Sequence, residues 1–253
     1  QDILGSPFQK YYSTHPSSEE RVSLINNLAI NQSNNLNQNL ALEEFTISLK
    51  KLKIKTYVYH NNLNHLTTMA DFKDDKLQNF LALSKFYLQG DVENAINKVN
   101  YLKKIDASNP YIFTLAGDLN FQANKIDNAI LDYEKGIKLI NQSLPSGLVK
   151  ISLAKALIEK NNKVSLIKAI DILEEMMPYE NSTSLFWRLI AKAAGKLKIN
   201  SKAYVALAEE QLIKNNFKKA KQFATLGLKD ENLDFIYRLR AEDILNIKEI
   251  KGR

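Results

Sequence analysis

A small residue on one apolar-patterned stretch is followed twelve positions later by a small residue on the next. Gly117 leads to Ala129, Ala191 to Ala203 and Ala208 to Ala220, while Leu83 takes the first seat ahead of Ala95. Larger apolar residues recur around these seats at helical spacing. Each pair therefore predicts two helices joined by a short turn, touching where neither side chain holds the backbones apart. Only 8 Gly and 5 Pro stand against a surplus of Lys, Leu, Ile, Ala and Asn, a balance that favours helices over a Gly-punctuated barrel or sandwich.

The step from Ala82, Leu83 and Ala95 to Ala116, Gly117 and Ala129 fits the ~34-residue period of tetratricopeptide repeats, whose units are helix pairs that cannot bury their apolar faces alone. The expected fold is all-α: a tetratricopeptide-repeat superhelical solenoid of four to five units, preceded by a short helical connector. Units are expected over 76–109, turning at Gly90, over 110–143, turning at Asn124, and over 145–179. In the third, the distance from Ala154 to Ala169 is stretched by three residues, which predicts a longer turn around Asn161 and Asn162. Beyond Asn181, residues 200–214 serve as second helix of one unit and first of the next. A last helix, about 233–250, is expected to cap the stack with Arg238, Arg240, Glu242 and Asp243.

Upstream, Pro16 and a capping Ser17 or Ser18 predict a helix to about Ile30. Residues 31–39 read as a polar linker, 40–59 as a helix with Leu42, Phe45, Leu49, Leu52 and Tyr57 near one face, and 60–74 as a loop. The domain organisation that follows is 1–30, a connector over 31–74 and the repeat domain over 75–253.

Composition narrows the chemistry. The absence of cysteine excludes disulfides, thiolate metal ligands and thiol nucleophiles. A net charge of +7 would suit an anionic partner, but the lysines are scattered at helical spacing rather than gathered in one stripe with interleaved aromatics, so no nucleic acid is expected. The densest cluster, Lys50, Lys51, Lys53 and Lys55, reads as a solvated face. No apolar run reaches the ~18–20 residues of a transmembrane helix.

One compact motif stands outside the repeats: Ser13-Thr14-His15-Pro16, with Arg21 five residues on, preceded by Ile3, Leu4, Gly5 and Tyr12. It resembles the segment that ends the catalytic domain of M48-family zinc metallopeptidases, which reads Thr-His-Pro, four residues, then Arg. The resemblance extends through Asn109-Pro110-Tyr111, Gly117-Asp118, Phe186-Trp187-Arg188-Leu189 and Arg238-Leu239-Arg240-Ala241-Glu242-Asp243. These look like the repeat domain of periplasmic members of the β-barrel-assembly-enhancing type.

In that family zinc is held by a helical HExxH pair and a downstream Glu, and the HExxH Glu activates water. This chain has only His15, His60 and His65, no two of them four apart. The resemblance therefore implies the C-terminal part of such a protease, with no catalytic residue here and with zinc a cofactor of the full-length protein alone. It further implies a periplasmic location, His15 as an additional zinc ligand holding the enzyme in check, and Arg21 supporting the loop beside the active site. Read without it, His15 is an ordinary loop histidine and Arg21 a helix-surface cation paired with a nearby Glu. Expected partners are a protein or extended peptide in the repeat groove, including the outer-membrane β-barrel assembly machinery. The alternative is a stand-alone adaptor with no enzymatic activity.

The remaining candidates have plainer readings. His60 and His65 lack a carboxylate in ligand spacing and read as loop residues; Phe186 and Trp187 read as core, Tyr57 and Tyr59 as packing residues. Glu174 and Glu175 are adjacent on a helix, do not face each other, and make a poor acid/base pair.

Overall fold

A computed structural model of the protein describes residues 36–69, 72–140 and 146–247. The described residues are all-helical, as expected, with no strand among them. They form α1 (Leu36–Tyr59), α2 (Leu63–Thr68), α3 (Asp75–Gln89), α4 (Val92–Ile105), α5 (Pro110–Gln122), α6 (Ile126–Leu139), α7 (Gly147–Lys160), α8 (Lys163–Glu180), α9 (Ser184–Lys196), α10 (Asn200–Ile213), α11 (Phe217–Gly227) and α12 (Phe235–Asn246). The chain divides into two compact units, residues 1–81 and 82–253, with the division inside α3.

In the first unit α1 packs on α2, and Ile54 and Leu66 are fully buried. Helix α1 starts at Leu36, a turn earlier than the polar composition of 31–39 suggests. The loop expected over 60–74 contains α2. Asn61 turns the chain at φ 51°, and the Asn62 side chain accepts from the His65 N–H at 3.2 Å, so capping starts a helix that side-chain propensity does not announce. Leu42, Phe45, Leu49 and Leu52 share one face, and that face is exposed; Tyr57 is half-buried elsewhere.

In the second unit each helix from α4 to α12 packs on the next, and α5 also meets α7, α7 meets α9, and α10 meets α12. The small seats lie at these contacts. Gly117, Ala129, Ala191, Ala203, Ala208 and Ala220 are all buried, as are Leu83 and Ala95. A Cβ on Gly117 would sit 2.5 Å from Cε1 of Tyr133, and one on Gly227 2.5 Å from Cγ2 of Val205.

The turns at Gly90, Asn124, Lys198 and Asn215 share one closure. At Asn124 the N–H bonds to the Phe121 carbonyl and that of Lys125 to Asn120. Gly90 with Asp91, Lys198 with Ile199, and Asn215 with Asn216 repeat the pattern. It is the Schellman arrangement, which needs a left-handed residue just past the helix. Gly90, Asn124, Lys198 and Asn215 supply it at φ 75°, 57°, 62° and 58°.

Two expectations are corrected. The third turn is short: Asn161, at φ 58°, and Asn162, which accepts from the Ser165 N–H at 2.8 Å, are the only residues between α7 and α8. The added residues lie in the helices, chiefly at the start of the 18-residue α8. Helix α12 presents a mixed outer face in place of the charged one expected: Glu242 and Asp243 are exposed, but the two arginines fold back. Arg238 donates to the carbonyls of Asp230 and Glu231, and Arg240 donates to Glu209, while Phe235, Ile236 and Leu239 are exposed.

The glycines separate contact from conformation. Gly117→Ala should lower stability by about 1–3 kcal/mol, because the methyl group must displace a buried Tyr133 ring. Gly195→Ala meets nothing within 4 Å and should raise stability by about 0.4–1 kcal/mol through the unfolded state. Urea unfolding of both variants checks this; equal shifts would show that Gly117 does not mark a close helix approach.

Candidate functional site

Polar side chains converge around the first turn of α10. Lys202 is buried to 9% exposure, and its ammonium lies 2.7 Å from Glu174 of α8 and 2.8 Å from Asp234, the residue that precedes α12. Tyr237 of α12, fully buried, donates its hydroxyl to the same Glu174 oxygen at 2.9 Å, and the Lys202 ammonium stands 4.9 Å from the centre of its ring. One residue earlier, Ser201 donates to Asp230 at 2.7 Å. Three segments distant in sequence are thus tied to one helical turn.

A second cluster continues along α10. Arg240 donates to Glu209 at 2.9 Å, and its guanidinium lies 4.9 Å from the Trp187 ring centre. Arg240 Nε is buried without a hydrogen-bond partner, and stacking on the indole face offsets that loss. Trp187 donates to the Asn181 carbonyl at 2.8 Å. Glu210 accepts from Arg188 and from Lys214 at 2.7 and 2.6 Å.

The electrostatics hold these groups in fixed states. Burial works against the charge on Lys202, but hydrogen bonds to Asp234 and Glu174 outweigh it and raise the ammonium above its ordinary value. Burial and the Glu174 charge push the Tyr237 hydroxyl well up, so it stays a neutral donor. Burial raises Glu209 despite Arg240. Burial also pushes Glu210 upward, but Lys214 and Arg188 overcome it and leave it below its ordinary value. A lysine held charged and a tyrosine held neutral supply no base near neutral pH; the arrangement fixes helices and charges.

An open cleft of about 660 Å³ lies beside this turn, lined by Lys198, Ile199, Asn200, Ser201, Tyr204, Leu226, Lys229 and Asp230. Ile199 and Leu226 expose apolar surface to it. Among the described residues neither Lys198 nor Lys229 is engaged in an ion pair. The cleft can receive an apolar side chain with a negative group beside it.

Of the residues singled out in the sequence, His15 and Arg21 lie outside the described residues. His65 bonds through Nδ1 to Asn62 Oδ1 at 2.9 Å and packs at 5.1 Å on Tyr57. His60 meets Tyr59 edge-on at 5.3 Å. Tyr59 is 86% exposed, so it is not the packing residue expected. Among the described residues no three His, Cys, Asp or Glu are grouped to hold a metal, and no helix is long and apolar enough to cross a membrane. Phe186 and Trp187 are fully buried, as core residues should be. Glu174 joins Lys202 while Glu175 pairs with Lys150 at 2.8 Å, which keeps the two carboxylates apart. Sequence reasoning missed the Glu174–Lys202–Tyr237 cluster, for which no local spacing gives a signal.

No protein-family model matches the chain, and no curated protein matches its sequence significantly.

Lys202→Met removes the cation shared by two carboxylates, one of them largely exposed, and should cost about 1–2 kcal/mol. Because the folded-state value is raised above 10.5, this contribution is fully present below that pH and is lost only as pH rises through the folded-state value. Urea titrations at about pH 7 and about pH 9 should show the same deficit. A deficit that shrinks by the higher pH would mean that Lys202 is not held charged.

Proposed function

We propose that residues 82–247 are a protein-binding repeat module of the tetratricopeptide type. In this reading the chain is the partner- and substrate-binding part of a periplasmic zinc metalloprotease of the M48 kind, serving outer-membrane protein assembly and quality control. The observation that carries the module is the recurrence of buried small residues where consecutive helices pack, from Gly117 and Ala129 through Ala208 and Ala220. A stack built this way sets side chains from many helices along one continuous surface, which suits an extended peptide or a folded partner. The cleft beside α10, lined by Ile199 and Leu226 together with Lys198 and Lys229, favours a partner segment that carries an apolar side chain next to a carboxylate.

The protease context rests on Thr14-His15-Pro16 with Arg21, and on the resemblance that runs from Asn109 to Asp243. Zinc would be held by an HExxH helix outside this chain, where it would polarise the scissile carbonyl and activate water. His15 would approach it as an added ligand and Arg21 would support the adjoining loop. The described residues hold and present a partner; no bond-breaking step is assigned to them.

The test is the intact mass and zinc content of the native protein, recovered from its source cells with an antibody to this chain. A zinc-bearing species well above 28.9 kDa is the expected result. A zinc-free species near 28.9 kDa would remove the protease and leave a stand-alone adaptor.

A further inference from the structure

The cleft beside the first turn of α10 offers hydrogen-bond donors and has no acceptor side chain to spare for them. Its one carboxylate, Asp230, is engaged on both oxygens: Oδ2 accepts from the Ser201 hydroxyl at 2.7 Å and Oδ1 from the Asn232 N–H at 2.9 Å. Its two ammonium groups, on Lys198 and Lys229, line the same opening and make no ion pair among the described residues. Helix α11 adds positive charge instead of balancing it. It carries Lys218, Lys219 and Lys221 and no acidic residue. Lys221 donates to the Ile247 carbonyl at 2.7 Å, whereas Lys218 and Lys219 are exposed. Lys219 stands two helical turns before Leu226, so it continues the same side of α11 about 10 Å from the cleft.

The apolar part of the lining decides which anion fits. Ile199 and Leu226 are exposed at 40% and 37% and present aliphatic walls. Single-stranded nucleic acid is gripped by aromatic platforms set among cations. Here the one aromatic ring on the lining, Tyr204, is stacked on Phe223 with centroids 6.3 Å apart. Aliphatic walls and cations together suit a peptide whose apolar side chain is flanked by carboxylates. The backbone singles out one of the lysines. Lys198 is held at φ 62°, the conformation that Asn124 and Asn215 take at the corresponding turns, and asparagine would adopt it with less strain. A residue kept against its backbone preference at the rim of a cleft points to a use for its side chain.

We propose that this cleft docks an acidic segment of a partner protein, which seats one aliphatic side chain on Ile199 and Leu226 and lays its flanking carboxylates on Lys198, Lys229 and Lys219. The inference rests on the repeat-module reading and narrows it to one site and one class of segment. Exposed charge pairs set specificity more than affinity, so the site discriminates acidic from neutral segments of the same shape, and Lys198 is a specificity-determining residue.

The test is a titration of the full 253-residue chain followed by amide proton–nitrogen NMR, which reports weak binding and its location together. The probe is the peptide Gly-Ser-Asp-Glu-Leu-Asp-Glu-Ser-Gly, taken to millimolar concentration beside a neutral counterpart with Asn and Gln for the acids and a second with Ser for the leucine. The acidic peptide should shift the amides of Ile199, Asn200 and Leu226 along saturable curves, and each counterpart should bind at least about threefold more weakly. Lys198→Asn should weaken the acidic peptide at least about twofold while raising the urea midpoint, two opposed effects that a merely structural lysine would not give. Lys198→Asn with Lys229→Gln should abolish the preference for the acidic peptide over the neutral one. Equal binding of those two peptides by the unmodified chain, or a preference that survives in the double variant, would overturn the proposal. Saturable shifts confined to other helices would overturn it too and leave the repeat-module reading standing. No saturable shift with any of the three peptides would overturn it and count against the module as well. An oligothymidylate that shifts the cleft amides at lower concentration than the acidic peptide would assign the lysines to nucleic acid, and would also overturn it.

Discussion

Close approach of helix backbones at small residues is the constraint on which the second unit depends. Gly117 lies beneath the Tyr133 ring, and Gly227 lies against Val205 and 3.2 Å from the Ser201 carbonyl, as measured to the position a Cβ would take. These approaches decide which polar groups can meet. With α5 drawn against α6, the Tyr133 hydroxyl reaches Asp118 at 2.7 Å and Asn120 reaches Asp132 at 2.8 Å, while Lys103 comes from α4 to the same Asp132. With α11 drawn against α10, Ser201 and Lys202 stand where the α11–α12 connection can supply Asp230 and Asp234. Dispersion and apolar burial hold the stack, and the polar contacts fix its register.

The polar contacts also reach beyond nearest neighbours. Lys196 of α9 donates to the Ile158 carbonyl of α7 at 3.2 Å, and Lys168 of α8 to Glu134 of α6 at 2.5 Å. Adjacent-helix packing alone would let each pair rotate slightly on the next. Bonds from one helix to the next but one remove that freedom, and the Glu174–Lys202–Tyr237 cluster does so across α8, α10 and α12.

The small seats were legible in the sequence because close backbone approach favours Gly or Ala, Leu83 being the exception, so the constraint leaves a mark at fixed spacing. Direction and partner leave no such mark. Arg238 and Arg240 look like the outer charges of a cap, yet a side chain's spacing does not say whether it reaches solvent or folds back to Asp230 and Glu209. The three added residues between Ala154 and Ala169 show in the sequence, but a helix absorbs an added turn as readily as a loop does. Glu174 and Tyr237 are 63 residues apart, and no local pattern links them. Asparagine carries more than its composition suggests. In Asn61-Asn62, Asn161-Asn162 and Asn215-Asn216 the first residue turns left-handed and the second caps the following helix with its side chain. One dipeptide ends a helix and starts the next, because Asn tolerates positive φ and its short carbonyl reaches the N–H three residues on.

The turn between α9 and α10 departs from that rule. Lys198 is the only described residue at positive φ that is neither Asn nor Gly, and a Cβ-bearing residue there costs roughly 1–2 kcal/mol. Ile199, at the cap position, has no side-chain oxygen to offer the free N–H groups of α10. Such a turn persists only where its surroundings over-determine it. Two backbone bonds close it, from Lys198 to Gly195 at 3.0 Å and from Ile199 to Ala194 at 2.9 Å, and the helix turn that follows is pinned by Ser201 to Asp230 and by Lys202 to Glu174 and Asp234. The buried network and the strained turn are therefore one device. The lysine that an asparagine would replace without strain is held, by contacts of the first turn of α10, at the rim of the cleft, where it makes no ion pair among the described residues.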